Sequence, residues 1–353
     1  MNQPFEPRRR GGRLRVDTVT LAHGGGGKAM RDLIDDVFVR AFDNPDMGEL
    51  EDQARLALPA DLAGGRLAFT TDGYVVDPLE FPGGDIGELA VNGTVNDLAV
   101  GGARPLWLSC AVIVEEGLPV ETLRRVAASM RRTADAAGVR IVTGDTKVVG
   151  RGSADKLFVT TSGVGVIPAG VDLSARHVRP GDVAIVNGWL GDHGACILDA
   201  RGDLELDSPI ESDTAPLAAL MQAAMAAAPS LRCARDATRG GLASALNEIA
   251  AGAGCGVEID ETALPLRPEV RGFCEILGLD PLYLANEGKL VLFVPPDQAE
   301  AALAAMRSVP EGRDSVIVGR AVAAHPGTVV MTTLFGGGRI VDMLLGEQLP
   351  RIC

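Results

Sequence analysis

The feature that most limits how this chain can fold is the change of apolar periodicity across residues 105–142. Pro105–Val114 is a continuous apolar run of strand length. Pro119–Ala137 then sets Leu123, Val126, Ala127, Met130 and Ala134 on one helical stripe, with Pro119 in the first turn and Gly138 as the stop. Val139–Val142 returns to a short apolar strand. The same alternation surrounds this block. Arg66–Val76 reads as a strand ending in a loop that contains Asp72, Asp85–Val100 as a helix, and Lys156–Val166 as a strand. Further on come strands at Asp182–Asn187, Val257–Ile259, Lys289–Val294 and Ser315–Ala321. Helices follow the turns at Gly188 and Gly241, and a hairpin spans residues 328–344 around Gly336-Gly337-Gly338. An α/β (α+β) protein of two domains follows, divided in the proline-bearing segment 167–180. The expected organisation is a flexible basic extension (1–20), an N-terminal domain (21–167), a C-terminal α/β domain (168–335), and a hairpin strand with a mobile tail (336–353).

Charge and cysteine usage narrow the function. A formal net charge of −14 argues against a general nucleic-acid binder. No apolar run reaches membrane-spanning length, and the five arginines of residues 1–15 precede no apolar stretch, so neither a membrane span nor a secretory signal is expected. The six cysteines show no C-x-x-C spacing, which points to a reduced, cytoplasmic setting without a structural zinc or disulfide framework.

Two glycine motifs are lures. Gly24, Gly25, Gly26, Gly27 and Lys28 resemble a phosphate loop, but Ala22 and Ala29 stand where the Walker pattern needs glycine and a hydroxyl residue. The run can be a flexible turn or can offer backbone N–H groups to phosphate. Gly163-Val164-Gly165 lacks the third glycine of a dinucleotide fingerprint and is discarded. An acidic set is more informative. Asp72, Asp97 and Asp145 come from three separate elements, and carboxylates bridged to phosphates are how magnesium is commonly held. Asn96-Asp97 within an otherwise apolar helix is costly without a partner. Lys147 follows Asp145 closely. Asp236, Thr238 and Arg239 precede a glycine pair and a helix, either an anion site or a plain cap. Glu287 in Asn286-Glu287-Gly288-Lys289 is a base or a turn carboxylate, and His193 has a structural role. The chain ends on a thiol, Cys353, with Pro350 stiffening the approach.

These motifs carry a resemblance. Leu21 through Gly27, Thr70-Thr71-Asp72, residues 93–100 around Asn96-Asp97, residues 143–149 around Gly144-Asp145-Thr146-Lys147, Asp236 through Gly241, residues 286–289 and the ending Pro350-Arg351-Ile352-Cys353 are similar to the HypE family of hydrogenase maturation proteins. That family lies within the superfamily of aminoimidazole ribonucleotide synthetase and selenophosphate synthetase. The likeness covers residues 21–353, leaving out only the arginine-rich extension. It implies a two-domain synthetase fold whose N-terminal domains pair into a β-barrel in a homodimer, with ATP between the domains near the dimer interface. It also implies an ATP-dependent carbamoyl dehydratase, a lyase that converts an S-carbamoyl group on Cys353 to a thiocyanate and supplies cyanide ligands to the iron of [NiFe] hydrogenase. The carbamoyltransferase HypF loads the cysteine, and a HypC–HypD complex accepts the cyano group. By the same resemblance Asp72, Asp97 and Asp145 hold Mg2+, Glu287 is the base with Lys147 as its partner, and Gly24–Gly27, Asn96, Asp97, Thr146 and Arg239 bind the nucleotide. A selenide or thiamine-phosphate kinase is the nearest rival, although no cysteine precedes Cys110; a non-catalytic ATP-binding scaffold is the other.

Overall fold

The computed structural model describes residues 14–25, 28–47, 56–62, 64–202, 209–343 and 351–353. Most of residues 1–20, Gly26, Gly27 and most of the tail therefore lie outside the described residues.

A helical stretch opens the structure, made of α1 (Lys28–Leu33), a π-helical section (Ile34–Val39) and α2 (Arg40–Phe42). The first sheet then forms from β1 (Arg66–Tyr74), β4 (Arg104–Glu115), β5 (Arg140–Val149) and β6 (Leu157–Ile167), in the order β1-β6-β4-β5. A two-strand ribbon, β2 (Glu80–Phe81) and β3 (Gly84–Asp85), leads into α3 (Ile86–Val100), and α4 (Val120–Ala137) bridges the parallel pair β4 and β5. The predicted strand and helix bounds in this half agree to within a residue or two, except that β1 and β5 run on through Asp72 and Asp145. Neither aspartate stands in a loop.

Local chemistry explains the helices. Asp85 caps α3 by accepting from the Gly87 and Glu88 amides at 2.7 and 3.0 Å. Gly138 ends α4 in the left-handed region, at φ 70°. α3 is apolar on nearly every side and is buried accordingly, packed on β1, β6 and α4 and against the second half of the chain.

That half is built on a seven-stranded sheet. Its strands are β7 (Val183–Val186), β8 (Cys233–Asp236), β9 (Gly256–Asp260), β10 (Leu290–Val294), β11 (Val316–Val322), β12 (Val329–Thr332) and β13 (Gly338–Val341), in the order β13-β12-β9-β11-β7-β10-β8. Its helices are α5 (Asp192–Ala200), α6 (Ala218–Ala227), α7 (Gly241–Ala253), α8 (Pro268–Leu277) and α9 (Ala299–Arg307). β10 is buried along its whole length, as a continuous apolar run should be. α3 touches α6 and β8, so this one helix is shared by both sheets' cores.

Candidate active site

A cavity of about 270 Å3 opens where the inner face of β1, the middle of α3 and the edge strand β8 meet. Asp72 and Tyr74 reach it from β1, Gly93 and Asp97 from α3, and Asp236, Thr238 and Arg239 from β8 and the turn that follows. Glu287 comes from the loop before β10, and Cys353 from the chain end.

Each residue of the 286–289 loop has a separate task. Asn286 fastens the loop, its Oδ1 accepting from the Gly191 amide at 2.7 Å and its Nδ2 donating to the Ala237 carbonyl at 2.7 Å. Gly288 is tight against the main chain, since a Cβ there would lie 1.9 Å from the Asp213 carbonyl oxygen. Lys289 forms a buried ion pair with Asp213 at 2.9 Å, and Asp213 also accepts from the Glu287 amide at 3.0 Å. Glu287 is left to face the cavity, 3% exposed, with Oε1 buried and without a hydrogen-bond partner among the described residues. Burial, then the charges of Asp213, Asp236 and Asp72, push its carboxyl well above the usual range, against the pull of Arg239.

Asp97 accepts from Thr70 Oγ1 at 2.8 Å. Burial and the nearby Asp236 raise it to about 6, with Asp72 adding to the effect. Asp236 is raised as well, chiefly by burial. Like charges gathered in a half-dry cleft have a high affinity for protons, and for the same reason attract a hard cation. Among the described residues no three His, Cys, Asp or Glu side chains converge closely enough to hold an ion by themselves. The donor set suits magnesium held by one or two carboxylates together with phosphate oxygens.

The chain end is docked. The Val75 amide donates to a main-chain oxygen of Cys353 at 3.0 Å, Arg201 donates to the Arg351 carbonyl at 2.8 Å, and Arg351 pairs with Asp155. Ile352 is buried in the core, and His193 Nε2 lies 2.7 Å from its carbonyl oxygen. These anchors leave Cys353 in the cavity wall with Glu287.

The structure divides the expected site residues into two groups. Asp72, Asp97, Arg239, Glu287 and Cys353 meet in the cavity. Asp145 and Lys147 do not: they pair with each other at 2.8 Å on β5, and the Lys147 side chain is 63% exposed. Register gives the reason. Asp72 is opposite Thr161, which donates to the Ala90 carbonyl of α3, so Asp72 faces the helices. Asp145 and Lys147 are opposite Ala111 and Ile113, between buried Val112 and its neighbours, and so face the other side of the sheet. β6 and β4 also stand between β1 and β5. The expected trio Asp72, Asp97 and Asp145 is therefore not assembled within one chain. Gly24 belongs with the second group, packed so closely on β5 that a Cβ would fall 2.9 Å from Val148 Cβ, with Gly25 beside it. Gly26 and Gly27 lie outside the described residues.

Two expected nucleotide ligands point elsewhere. Thr146 is buried on the helix side of the sheet. Asn96 is buried too and joins the chain's halves, donating to the Ala215 carbonyl at 3.0 Å and accepting from the Leu217 amide at 2.7 Å. The sequence reading missed Asp236 as a partner of Asp97. Its signal was present, an aspartate just before Thr238-Arg239 and a glycine pair.

Family models agree with this architecture. Residues 51–167 match the N-terminal domain, and residues 179–332 the C-terminal domain, of AIR synthase related proteins. A carbamoyl dehydratase HypE from Rhodobacter capsulatus is 72% identical over 342 residues, covering 96% of this chain and 99% of its own. The chain belongs to the HypE family. A crystal structure of hydrogenase maturation protein HypE in complex with ATP superposes with a TM-score of 0.90 at 49% identity, covering 95% of this chain and 99% of its own. A HypE–HypF complex superposes with a TM-score of 0.77 at 44% identity, covering 90% of this chain and 100% of its own. Among the described residues, no helix of this family member is long and apolar enough to cross a membrane.

Proposed function

We propose that this chain is an ATP-dependent carbamoyl dehydratase acting on its own Cys353, as its HypE relatives' names and the ATP-bound HypE structure support. The observation that carries the reading is that Cys353 lines the same cavity as Glu287, Asp97, Asp236 and Arg239. A thiol there presents an attached carbamoyl group to the base without a bimolecular encounter.

The chemistry follows from the leaving group. An S-carbamoyl group cannot expel oxide, so its oxygen takes the γ-phosphoryl group of ATP while ADP departs and the nitrogen loses one proton. Breaking the C–O bond then releases phosphate, the nitrogen loses its second proton, and S–C≡N remains. Glu287 is the base for this elimination. Its raised proton affinity makes it an effective acceptor once ionised, and Arg239 favours the ionised form. One or two of the carboxylates Asp72, Asp97 and Asp236, together with phosphate oxygens, would hold magnesium, whose charge offsets that of the phosphates. At about 270 Å3 the cavity has room for the reacting groups rather than a whole nucleotide.

Asp145 and Lys147 enter this reading through a second copy. The sheet face that carries them also exposes Leu67, Phe69 and Ile113, at 66, 72 and 42%. An apolar face of this kind is suited to pairing in a homodimer, with the two sheets closing as a barrel. HypF, by analogy with the HypE–HypF complex, loads the cysteine. A HypC–HypD complex accepts the cyano group for the [NiFe] hydrogenase iron, in the cytoplasm.

Intact mass tests the core of the proposal. The protein and its Cys353→Ala variant are incubated with HypF, carbamoyl phosphate, ATP and magnesium. The expected result is a carbamoyl adduct that then loses one water, both steps absent in the variant. An active transferase that leaves the wild-type mass unchanged would overturn the reading.

A further inference from the structure

Among the buried groups without a part in this chemistry, His193 is placed most informatively. It is fully buried at the start of α5, edge-on to Phe81 with ring centroids 5.7 Å apart. Its hydrogen bonds fix its tautomer. Ser212 Oγ accepts from the Thr214 amide at 3.3 Å and lies 2.8 Å from His193 Nδ1. The Ile352 carbonyl oxygen, 2.7 Å from Nε2, can only accept, so Nε2 carries a proton and donates, and in the neutral ring Nδ1 accepts from Ser212.

We propose that His193 is a positioning residue for the reaction, holding the peptide next to Cys353 so that the carrier sulfur stays at the cavity. This deepens the reading that Cys353 carries the substrate, and rests on it. The next residue along gives the relay its reach. Ser212 orients His193, and Asp213 accepts from the Glu287 amide, so one short segment sets the place of both the carrier and the base. Anchors elsewhere in the tail act on other groups: Arg201 and Asp77 hold the Arg351 carbonyl, and Val75 holds Cys353 itself. The Ile352 carbonyl is taken by His193.

Three readouts on His193→Ala, His193→Gln and Ser212→Ala test this in the full-length protein: maleimide labelling of Cys353, carbamoyl loading by HypF, and single-turnover dehydration of the loaded protein. For His193→Ala, Cys353 labelling is expected to quicken several-fold. Loading should persist, because a chain end released from His193 leaves the thiol accessible to the transferase. Dehydration should slow about tenfold to a hundredfold, as for a misplaced reactant. The Gln side chain keeps an N–H donor, so His193→Gln should recover part of the loss, and Ser212→Ala should show a milder form of the defect. Labelling and dehydration at wild-type rates in His193→Ala would overturn the proposal. An equal loss of loading and dehydration in all three variants would also overturn it, because it marks a purely structural histidine. Should His193→Ala fail to fold, His193→Gln and Ser212→Ala are read in its place, and wild-type labelling and dehydration in Ser212→Ala would count against the relay. Absence of any carbamoyl adduct on wild-type Cys353 would sink the carrier reading, while the labelling contrast would still report on the latch.

Discussion

Asp213 and Lys289 form a buried ion pair at 2.9 Å directly behind the Glu287 main chain, their side chains only 4 and 12% exposed. Asp213 is held below the usual carboxylate range although burial opposes this, because the Lys289 ammonium lies beside it and both Lys289 and the Glu287 amide hydrogen-bond to it. Removing one partner strands the other charge. Lys289→Met is expected to lower unfolding stability by roughly 3–5 kcal/mol, and Lys289→Met with Asp213→Asn to recover much of that. Denaturant titration decides; an additive double variant would show that the two are not coupled.

Glu287 supplies a stability prediction opposite to that of an ordinary paired carboxylate. Between its usual value of 4.5 and its raised folded value, the native state holds a proton that the unfolded chain has released, so stability falls as pH rises through that window. Glu287→Gln removes the titration. Without nucleotide it should melt above wild type at pH 7, with the gap closing below about pH 4. Its single-turnover dehydration should drop by roughly 10²–10⁴ while ATP binding persists. A variant that dehydrates at the wild-type rate ends the base assignment.

Asp97 gives the cation site a pH dependence. Raised from 3.8 to about 6, it is increasingly protonated as pH falls through 6 and then offers a cation no charge. The magnesium concentration for half-maximal ATP turnover should therefore climb as pH is lowered from 7 to 5. Asp97→Asn should abolish metal-dependent turnover. Unchanged turnover in that variant would remove Asp97 from the metal set.

Gly93 sits on α3 because Tyr74 leaves no room for a side chain: a Cβ would lie 2.2 Å from the tyrosine hydroxyl. Although alanine is the better helix former, Gly93→Ala should destabilise by about 1–3 kcal/mol through overpacking. Adding Tyr74→Phe, which deletes the clashing oxygen, should restore part of it. If Gly93→Ala melts like wild type, the contact is softer than the geometry states.

Phe69 tests the paired sheets. Phe69→Lys places a charge on the exposed apolar face and should convert the proposed dimer to monomers in sedimentation, with the fold retained by circular dichroism. A dimer that survives the change would place the interface elsewhere.

Helices and strands with clear periodicity were readable in advance: the α4 stripe, the helical spacing of α3 and the apolar run of β10 each state their structure locally. α6 was not, since its run of alanine, leucine and methionine has no polar face to give a period. β8, α8 and α9 were likewise passed over. The docked chain end was equally hidden, because His193, Arg201 and Val75 are far from it in sequence.

By itself the sequence determined the family, the alternating α/β architecture and the residue types of the site, since these rest on local periodicity and short motifs. Only the tertiary structure decided which of those residues share a site. Strand alternation and register turn Asp72 towards α3 and Asp145 away from it, and neither direction can be read until the pairing partners of β1 and β5 are known. The proton affinities of Glu287 and Asp97 were decided the same way, by burial and by like charges brought from distant segments.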